Sequence, residues 1–198
     1  MITALILAAG QSSRMGQHKM LLPLLGKPLL LHTVDHALAV EFDEVIVVVG
    51  HHANDVRTAL VGHRVRIIEN PEYQQGQSTS VRAGIAALDP AAQAVIILLG
   101  DQPLITPAIL KSLIQAWQHS GKPIVAPFYS GQRGNPVLFA RALFPELLQV
   151  TGDQGGREVL QRHADEIEPV QIDDANAAQD LDTLQEYQAL QERLRNET

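Results

Sequence analysis

Short apolar runs alternate along the chain with longer segments in which apolar residues recur every three or four positions. The first pattern predicts β-strands covered on both faces, and the second predicts helices. The strands are expected at Thr3–Leu7, Glu44–Val49, Val65–Ile68, Ala94–Leu99 and Pro123–Ala126. The helices are expected at Pro28–Ala39, Ala53–Leu60, Thr79–Leu88, Pro107–His119, Arg141–Leu148, Gly156–His163 and Thr183–Leu194.

This alternation of strands and helices predicts an α/β fold, a three-layer α/β/α sandwich with a mostly parallel sheet. Phe128–Pro136 contains two glycines and is expected to form a hairpin connection between an edge strand and Val137–Phe139. No linker separates two parts of the chain, so residues 1–198 are expected to form a single domain. In such folds ligands bind at the carboxyl ends of the strands.

Charge and composition narrow the possible functions. The formal net charge is −7 and no basic patch stands out, so we expect no nucleic acid partner. The longest apolar runs are too short to span a membrane, and the N-terminal run lacks the basic flank of a signal peptide. Cysteine is absent from the sequence, which excludes disulfides, thiolate nucleophiles and zinc–thiolate sites. A cytoplasmic location is therefore expected.

A polar loop with two glycines and two cations follows the first strand. The residues run Ala8-Ala9-Gly10-Gln11-Ser12-Ser13-Arg14-Met15-Gly16-Gln17-His18-Lys19. Small side chains let backbone N–H groups approach phosphate oxygens, and Arg14 and Lys19 offset the phosphate charge. The spacing fits neither the P-loop nor the dinucleotide fingerprint. The loop therefore indicates a nucleotide phosphate site of another kind, with an ordinary strand-to-helix turn as the alternative.

Polar residues also follow later strands and turns. Asp101 comes directly after the fourth strand, where Gly100 is expected to leave room for a ligand. Its carboxylate suits a hard cation, although it also suits a cap for the following turn. Ser78 is a plausible N-cap at a helix start that would offer N–H groups to a nucleotide, and a plain capped helix is the alternative.

The pattern A-A-G-x-x-S-R-M-G-x-x-K, followed by L-L-P, resembles nucleotidyltransferases with a sugar-nucleotide-transferase-like fold. The resemblance is closest to the molybdenum cofactor cytidylyltransferases and extends over nearly the whole chain. It implies that Arg14 and Lys19 contact the triphosphate during catalysis. It also implies that Ala8, Ala9 and Gly10 lie near the base and ribose. The guanylyl branch usually has Ala-Gly-Gly at these three positions, so this chain favours the cytidylyl branch.

The resemblance also implies a magnesium site. Gly100-Asp101-Gln102-Pro103 matches a Gly-Asp-x-Pro motif that holds the catalytic Mg²⁺ in this fold. Asp180-Leu181-Asp182-Thr183 resembles the start of a D-x-D-T-P-E-D motif, from which the chain departs at the next two residues. Asp182 is the expected second ligand and Asp180 the alternative. Taken alone, Asp182 also fits an N-cap of the last helix.

Two further groups of residues take their roles from the same family. Gly76, Ser78 and Ser80 match a Gly-x-Ser-x-Ser stretch that lies around the nucleotide. The segments Gly134–Phe139 and Gly152–Arg157 resemble the elements on the pterin-phosphate side. That likeness assigns acceptor binding to three residues, Asn135, Asp153 and Arg157. From residue type alone, Asp153 and Arg157 also fit a weak ion pair at a helix cap.

These features together predict a Mg²⁺-dependent cytidylyltransferase that transfers CMP from CTP to molybdopterin cofactor. A phosphate monoester is largely a dianion near neutral pH, because its second pKa is about 6. The acceptor therefore needs no general base, which fits a chain without an evident Ser-His-Asp set. The alternatives are guanylyl transfer, another phosphate acceptor, or a non-catalytic chaperone for the cofactor. The expected recipient of the product is a molybdenum hydroxylase or its chaperone.

Overall fold

The computed structural model describes residues 1–10 and 18–196. Strands and helices alternate along that part of the chain. The strands are β1 (Ile2–Ala8), β2 (Pro23–Leu24), β3 (Lys27–Pro28), β4 (Glu44–Val49), β5 (Arg66–Glu69), β6 (Ala94–Leu99), β7 (Ile124–Tyr129), β8 (Gln132–Arg133), β9 (Val137–Ala140) and β10 (Ile167–Ile172). The helices are α1 (Leu29–Leu38), α2 (Ala53–Ala59), α3 (Gln77–Ala86), α4 (Pro107–Ser120), α5 (Phe144–Leu147), α6 (Arg157–Arg162) and α7 (Leu184–Asn196).

The main sheet has the strand order β10-β7-β9-β6-β1-β4-β5, with β8 paired to β7 outside that path. Strand β9 runs antiparallel to both of its neighbours, β6 and β7. The remaining pairs along the path are parallel. The sheet is therefore mostly parallel, as the sequence predicted.

Successive residues of β1 face opposite sides of the sheet, as the two-residue period of a strand requires. Ala4 and Ile6 pack in one core with residues of α1, α2 and α4. Leu5 and Leu7 pack in a second core with residues of α3, α5 and α6. Each fully buried Leu or Ile stabilises the fold by roughly 1.5–3 kcal/mol. The three-layer sandwich is thus confirmed.

The sheet edge differs from the prediction. Strand β7 is not an edge strand, because β10 pairs with it in parallel register from Ile167 to Ile172. The sequence did not indicate β10, since Pro169 and alternating polar residues interrupt its apolar pattern. Proline cannot donate to a ladder and is tolerated at an edge. Strand β7 also extends to Tyr129, beyond the predicted end at Ala126.

The predicted helix Arg141–Leu148 is also shorter than expected. A 3-10 turn covers Arg141–Leu143, and α5 begins at Phe144 with a proline in its first turn. None of the described helices is both long and apolar enough to cross a membrane.

Helix α7 packs on the small β2–β3 hairpin and brings the end of the chain to the N-terminal loop. Leu181 and Leu190 form a small buried cluster with Leu24 and Leu29. The hydroxyl of Tyr187 donates a 2.6 Å hydrogen bond to the carbonyl oxygen of Pro23. This docking places the segment that precedes α7 beside Lys19.

Candidate active site

A cavity of about 390 Å³ opens at the carboxyl ends of β1 and β6 and beside the start of α3. Parallel α/β sheets bind ligands at this end. Six residues predicted for nucleotide, metal or acceptor binding line it: Ala9, Gly10, Gly76, Ser80, Asp101 and Asp153.

The side chain of Lys19 lies between two of the predicted metal ligands. Its ammonium is 2.6 Å from Asp101 Oδ2 and 2.9 Å from Asp182 Oδ1. The exposed fractions of the three side chains are 7% for Lys19, 18% for Asp101 and 50% for Asp182. The structure thus brings together residues that are 163 positions apart in the chain.

Burial of Lys19 lowers its pKa, because a dry environment disfavours the charged form. The negative charge of Asp101 and its hydrogen bond to the ammonium raise the pKa of Lys19. The hydrogen bond and the charge of Asp182 raise it further, and together these effects outweigh that of burial. The pKa of Lys19 is therefore raised above its ordinary value. The ammonium stays protonated at neutral pH and neutralises part of the negative charge beside the cavity.

Asp182 is not the cap of the last helix. The backbone N–H of Glu186 donates to Thr183 Oγ1 at 3.2 Å, and the N–H of Thr183 donates to Glu186 Oε2 at 2.8 Å. This reciprocal pair is a capping box. Because Thr183 supplies the capping hydroxyl, the carboxylate of Asp182 points toward Lys19 instead.

Asp180, the alternative metal ligand, is held by another residue. The side-chain amide of Gln102 donates 2.8 Å to Asp180 Oδ1 and 3.3 Å to the carbonyl oxygen of Ala178. Burial raises the pKa of Asp180, and the charge of Asp101 adds to this effect. Gln102 therefore fixes the loop that carries Asp180, while Asp182 shares the ammonium of Lys19 with Asp101.

The donor chemistry of this pair suits Mg²⁺. Asp101 and Asp182 direct carboxylate oxygens at one ammonium, so a cation in that position would meet two hard oxygen ligands. Three or more His, Asp or Glu side chains that could together hold a metal do not occur among residues 1–10 and 18–196. Mg²⁺ characteristically takes one or two carboxylates and completes its shell with substrate phosphates and water. The two aspartates fit that pattern.

Of the three residues at the start of the N-terminal loop, one lies in the core and two line the cavity. Ala9 and Gly10 line the cavity, whereas Ala8 is fully buried and packs in the core with Ala4 and Ile6. Ala8 is thus a core residue and not a lining residue, because the strand alternation turns it away from Ala9. Arg14 lies outside the described residues.

Gly100 lies in a tightly packed turn after β6. A Cβ at this position would lie 2.9 Å from Leu30 Cδ1 and 3.1 Å from Met20 Sδ. Gly100 is not among the residues that line the cavity. Its lack of a side chain lets the turn pack on α1 and on the segment after Lys19. The predicted part of Gly100 in nucleotide binding stays a prediction.

A buried asparagine that the sequence did not single out ties the start of α3 to the sheet. Asn70 Nδ2 donates to Thr79 Oγ1 at 2.8 Å and to Ser80 Oγ at 3.0 Å. Its Oδ1 accepts a 3.0 Å bond from the N–H of Glu72. Asn70 is 2% exposed, and such a buried polar group is stable only when bonded. An asparagine directly after a strand was the signal available in the sequence.

Ser78 does not cap α3. The helix begins at Gln77, with Gly76 in the N-cap position. Ser78 lies in the first turn, fully buried, and its hydroxyl has no hydrogen-bond partner among the described residues. Ser80, two residues later, lines the cavity and is oriented by Asn70.

Gly76 allows two loops to meet at the cavity wall. Its φ of 105° is a conformation that side chains rarely adopt. A Cβ here would lie 2.6 Å from both Asp153 Oδ1 and the carbonyl oxygen of Gly152. The segment Gly152–Gln154 therefore lies directly against the start of α3, and Asp153 faces the first cavity.

Two of the predicted acceptor residues, Asn135 and Arg157, line a second cavity of about 140 Å³. This cavity adjoins the first, because Leu7, Gln77 and Leu99 line both. The Tyr129 hydroxyl donates a 2.7 Å hydrogen bond to the carbonyl oxygen of Asn135 and fixes that loop. The alternative of an Asp153–Arg157 ion pair is wrong, since no such pair forms within the described part of the chain.

Residues 4–167 match the family model described as the MobA-like NTP transferase domain. Bifunctional protein GlmU of Sorangium cellulosum is 36% identical over 150 residues, which are 72% of this chain and 31% of that protein. The chain thus spans about a third of the length of GlmU. The molybdenum cofactor cytidylyltransferase of Escherichia coli K12 is 29% identical over 194 residues, which are 97% of this chain and 96% of that enzyme.

The manganese complex of Rv0371c from Mycobacterium tuberculosis H37Rv has the same fold. It superposes with a TM-score of 0.82 at 30% identity, and the match covers 96% of this chain and 98% of that one. The fold of this chain thus occurs in a protein that was solved with a divalent metal. The chain belongs to the family of MobA-like NTP transferase domains, the class of nucleotidyltransferases that its motifs predicted.

Proposed function

We propose that the protein transfers CMP from CTP to the phosphate of a molybdopterin-type cofactor, releases pyrophosphate and uses Mg²⁺. Family membership supports nucleotidyl transfer. Identity to the Escherichia coli cytidylyltransferase over nearly the full length of both chains supports this acceptor. The sequence Ala8-Ala9-Gly10 supports CTP, by the resemblance described above. A molybdenum hydroxylase or its chaperone is the proposed recipient of the product.

The observation that carries this proposal is the position of Lys19 between Asp101 and Asp182. A buried ammonium against two carboxylates, beside a cavity at the carboxyl ends of parallel strands, suits a polyanionic substrate with a divalent cation. The cavity lies against the start of α3, where unpaired N–H groups favour anions.

In the proposed reaction, an oxygen of the acceptor phosphate attacks the α-phosphorus of CTP. The bond from that phosphorus to the oxygen that bridges to the β-phosphate breaks, and pyrophosphate leaves with the electron pair. The acceptor phosphate is already deprotonated near neutral pH, so no side chain has to remove a proton. The work of the protein is to position the two phosphates and to stabilise charge.

The nucleotide and the acceptor are assigned to the two neighbouring cavities. Ala9, Gly10, Gly76 and Ser80 line the proposed nucleotide side, and Lys19 holds the triphosphate together with Arg14. Mg²⁺, when bound by Asp101 and Asp182, supplies charge neutralisation on the reacting phosphates.

The acceptor side is proposed to involve Asn135, Asp153 and Arg157. Asn135 and Arg157 line the second cavity, while Asp153 faces the first one near their junction. An acceptor in the second cavity would lie next to the nucleotide, because Leu7 and Gln77 line both cavities.

The test is pyrophosphate release by purified protein with Mg²⁺ and molybdopterin cofactor, with CTP, GTP, ATP and UTP compared. We expect release with CTP and little with the other three. Release with GTP at a rate equal to that with CTP would overturn the cytidylyl proposal. Tight cofactor binding without release from any nucleotide would indicate a cofactor-binding chaperone instead.

A further inference from the structure

The second cavity combines an apolar floor with a positively charged rim. Val81, Ile97, Phe139 and Leu160 form the floor, between the sheet and helices α3 and α6. Among residues 1–10 and 18–196, its charged lining residues are two arginines, Arg133 and Arg157, and none of these described residues brings a carboxylate to it. Such a cavity favours a ligand with an uncharged body and an anionic group.

The two arginines also border a wider, open cavity of about 520 Å³ on the other side of the same loop. Gln102 and Asp180 line that space as well. An anion held by both arginines would therefore lie at the junction of the two spaces. That junction adjoins the loop with Asp180, which leads directly to the proposed metal ligand Asp182.

The guanidinium groups of Arg133 and Arg157 are not paired with other described side chains. Within residues 1–10 and 18–196, the side chains of Arg133 and Arg157 form no hydrogen bond or ion pair. Arg57, Arg66 and Arg162 elsewhere on the surface each bind a carboxylate at 2.7–2.8 Å. Two cations that line the same cavities and bind no carboxylate of the described residues are suited to an external anion.

The backbone holds Arg133 in place through a tight hairpin. Ser130 and Gly131 both have positive φ, 49° and 80°, which is the geometry of a two-residue hairpin turn. The turn pairs Arg133 with Phe128 of β7, at the end of the main sheet. A lone arginine in a glycine-containing hairpin carries no sequence signal of its own, so Arg133 was not among the predicted residues.

We infer that Arg133 and Arg157 together bind the phosphate of the acceptor, while its ring system lies on the apolar floor of the second cavity. This inference rests on the proposed function and adds Arg133, beside Arg157, as a residue that recognises the phosphate monoester of the acceptor. The planar guanidinium forks match phosphate oxygens through paired charge-assisted hydrogen bonds. Arg133 is thereby a specificity-determining residue of the reaction.

Steady-state kinetics of Arg133→Gln, Arg157→Gln and the double variant test this assignment. We expect each single change to raise the KM for the molybdopterin cofactor by at least about tenfold, as the loss of a charge-assisted bond predicts. The KM for CTP should stay within about twofold, since neither arginine lines the first cavity. Arg64→Gln changes an exposed arginine near the opposite end of the sheet and is the matched control. An unchanged cofactor KM in Arg133→Gln would overturn the inference.

A binding experiment without nucleotide separates this inference from the proposed function. Calorimetry compares the affinity of the molybdopterin cofactor with that of its dephosphorylated form. We expect wild type and Arg64→Gln to prefer the phosphorylated form, and the double variant to bind both forms equally. If that pattern holds while no nucleotide supports turnover, the arginine site stands and the proposed function fails. If turnover proceeds and the double variant keeps the phosphate preference, the arginine assignment fails and the function stands.

Discussion

The ammonium of Lys19 lies 2.6 Å from Asp101 Oδ2, and both side chains are largely shielded from water. A shielded charge is stable only with a partner of opposite sign. Asp182 provides the second partner at 2.9 Å, from the far end of the chain. In the proposed mechanism the same two carboxylates hold Mg²⁺, so binding of the metal and movement of Lys19 toward the triphosphate are linked.

Replacement of Asp101 by Asn is expected to reduce turnover by at least about 10²-fold, because it removes a charged ligand from the reacting phosphates. The change keeps the shape of the side chain. Asp165→Asn alters an exposed aspartate on a remote turn and serves as the control. Pyrophosphate release at saturating CTP measures the effect. A rate within twofold of wild type would rule out Asp101 as a ligand in the reaction.

Replacement of Lys19 by Met is expected to have opposite effects on turnover and on metal binding. Turnover should fall by about 10²-fold, because a cation near the triphosphate is lost. The protein without nucleotide should bind Mn²⁺ more tightly than wild type, since the ammonium no longer competes for Asp101 and Asp182. Electron paramagnetic resonance of free Mn²⁺ measures this affinity. Lys111→Met on α4 is the control, and weaker Mn²⁺ binding by Lys19→Met would contradict the linkage.

Gly76 and Gly62 form a matched pair for the contact between α3 and the loop at Asp153. Both have positive φ, but a Cβ at Gly62 would meet nothing within 4 Å, whereas one at Gly76 would meet Asp153 and Gly152. Gly62→Ala is expected to cost about 1 kcal/mol of unfolding free energy from backbone strain alone. Gly76→Ala should cost at least about 3 kcal/mol and raise the KM for CTP. Urea unfolding measures the free-energy loss of each variant. Equal losses would show that the contact between Gly76 and the loop at Asp153 does not contribute to stability.

His163 predicts a pH-dependent contribution to stability. Its Nδ1 is 2.6 Å from Glu166 and its Nε2 is 2.9 Å from Glu146. The hydrogen bond to Glu166, followed by that to Glu146, raises the pKa of His163. A raised pKa means that the stabilisation is complete below the unfolded value of about 6.5 and is lost as the pH rises through the folded value.

The unfolding free energy of His163→Gln should therefore fall below that of wild type at about pH 5.5 and approach it at about pH 9. Chemical denaturation at both pH values gives the difference. His119→Gln changes an exposed histidine on α4 and serves as the control. A difference that grows with pH would have the wrong sign for this ion-pair network.

The sequence was sufficient where apolar runs are continuous. Strands β4 and β6 have the predicted bounds, because nearly every residue of each is apolar and buried. It was insufficient at β10, where Pro169 breaks the pattern and pairing with β7 decides the structure. Local propensity carries no information about such a partner.

In the candidate site, too, local motifs were predictable and contacts between distant residues were not. Asp101 and Lys19 follow from motifs close to strand ends, and the structure brings them into contact. The packing of Gly100 and Ala8 could not be predicted, because it involves residues distant in the chain, and their assignment to the nucleotide stays a prediction. Arg133 has no motif, and its importance comes only from the cavity that it shares with Arg157.

The most direct test of the central claim is mass spectrometry of the reaction of CTP with molybdopterin cofactor and Mg²⁺, with pyrophosphate measured in parallel. We predict a product with the mass of the cofactor plus a cytidylyl group, formed in equal amount to pyrophosphate and at least about 10²-fold more slowly with Asp101→Asn. Pyrophosphate without that adduct, or no reaction at all, would contradict the account.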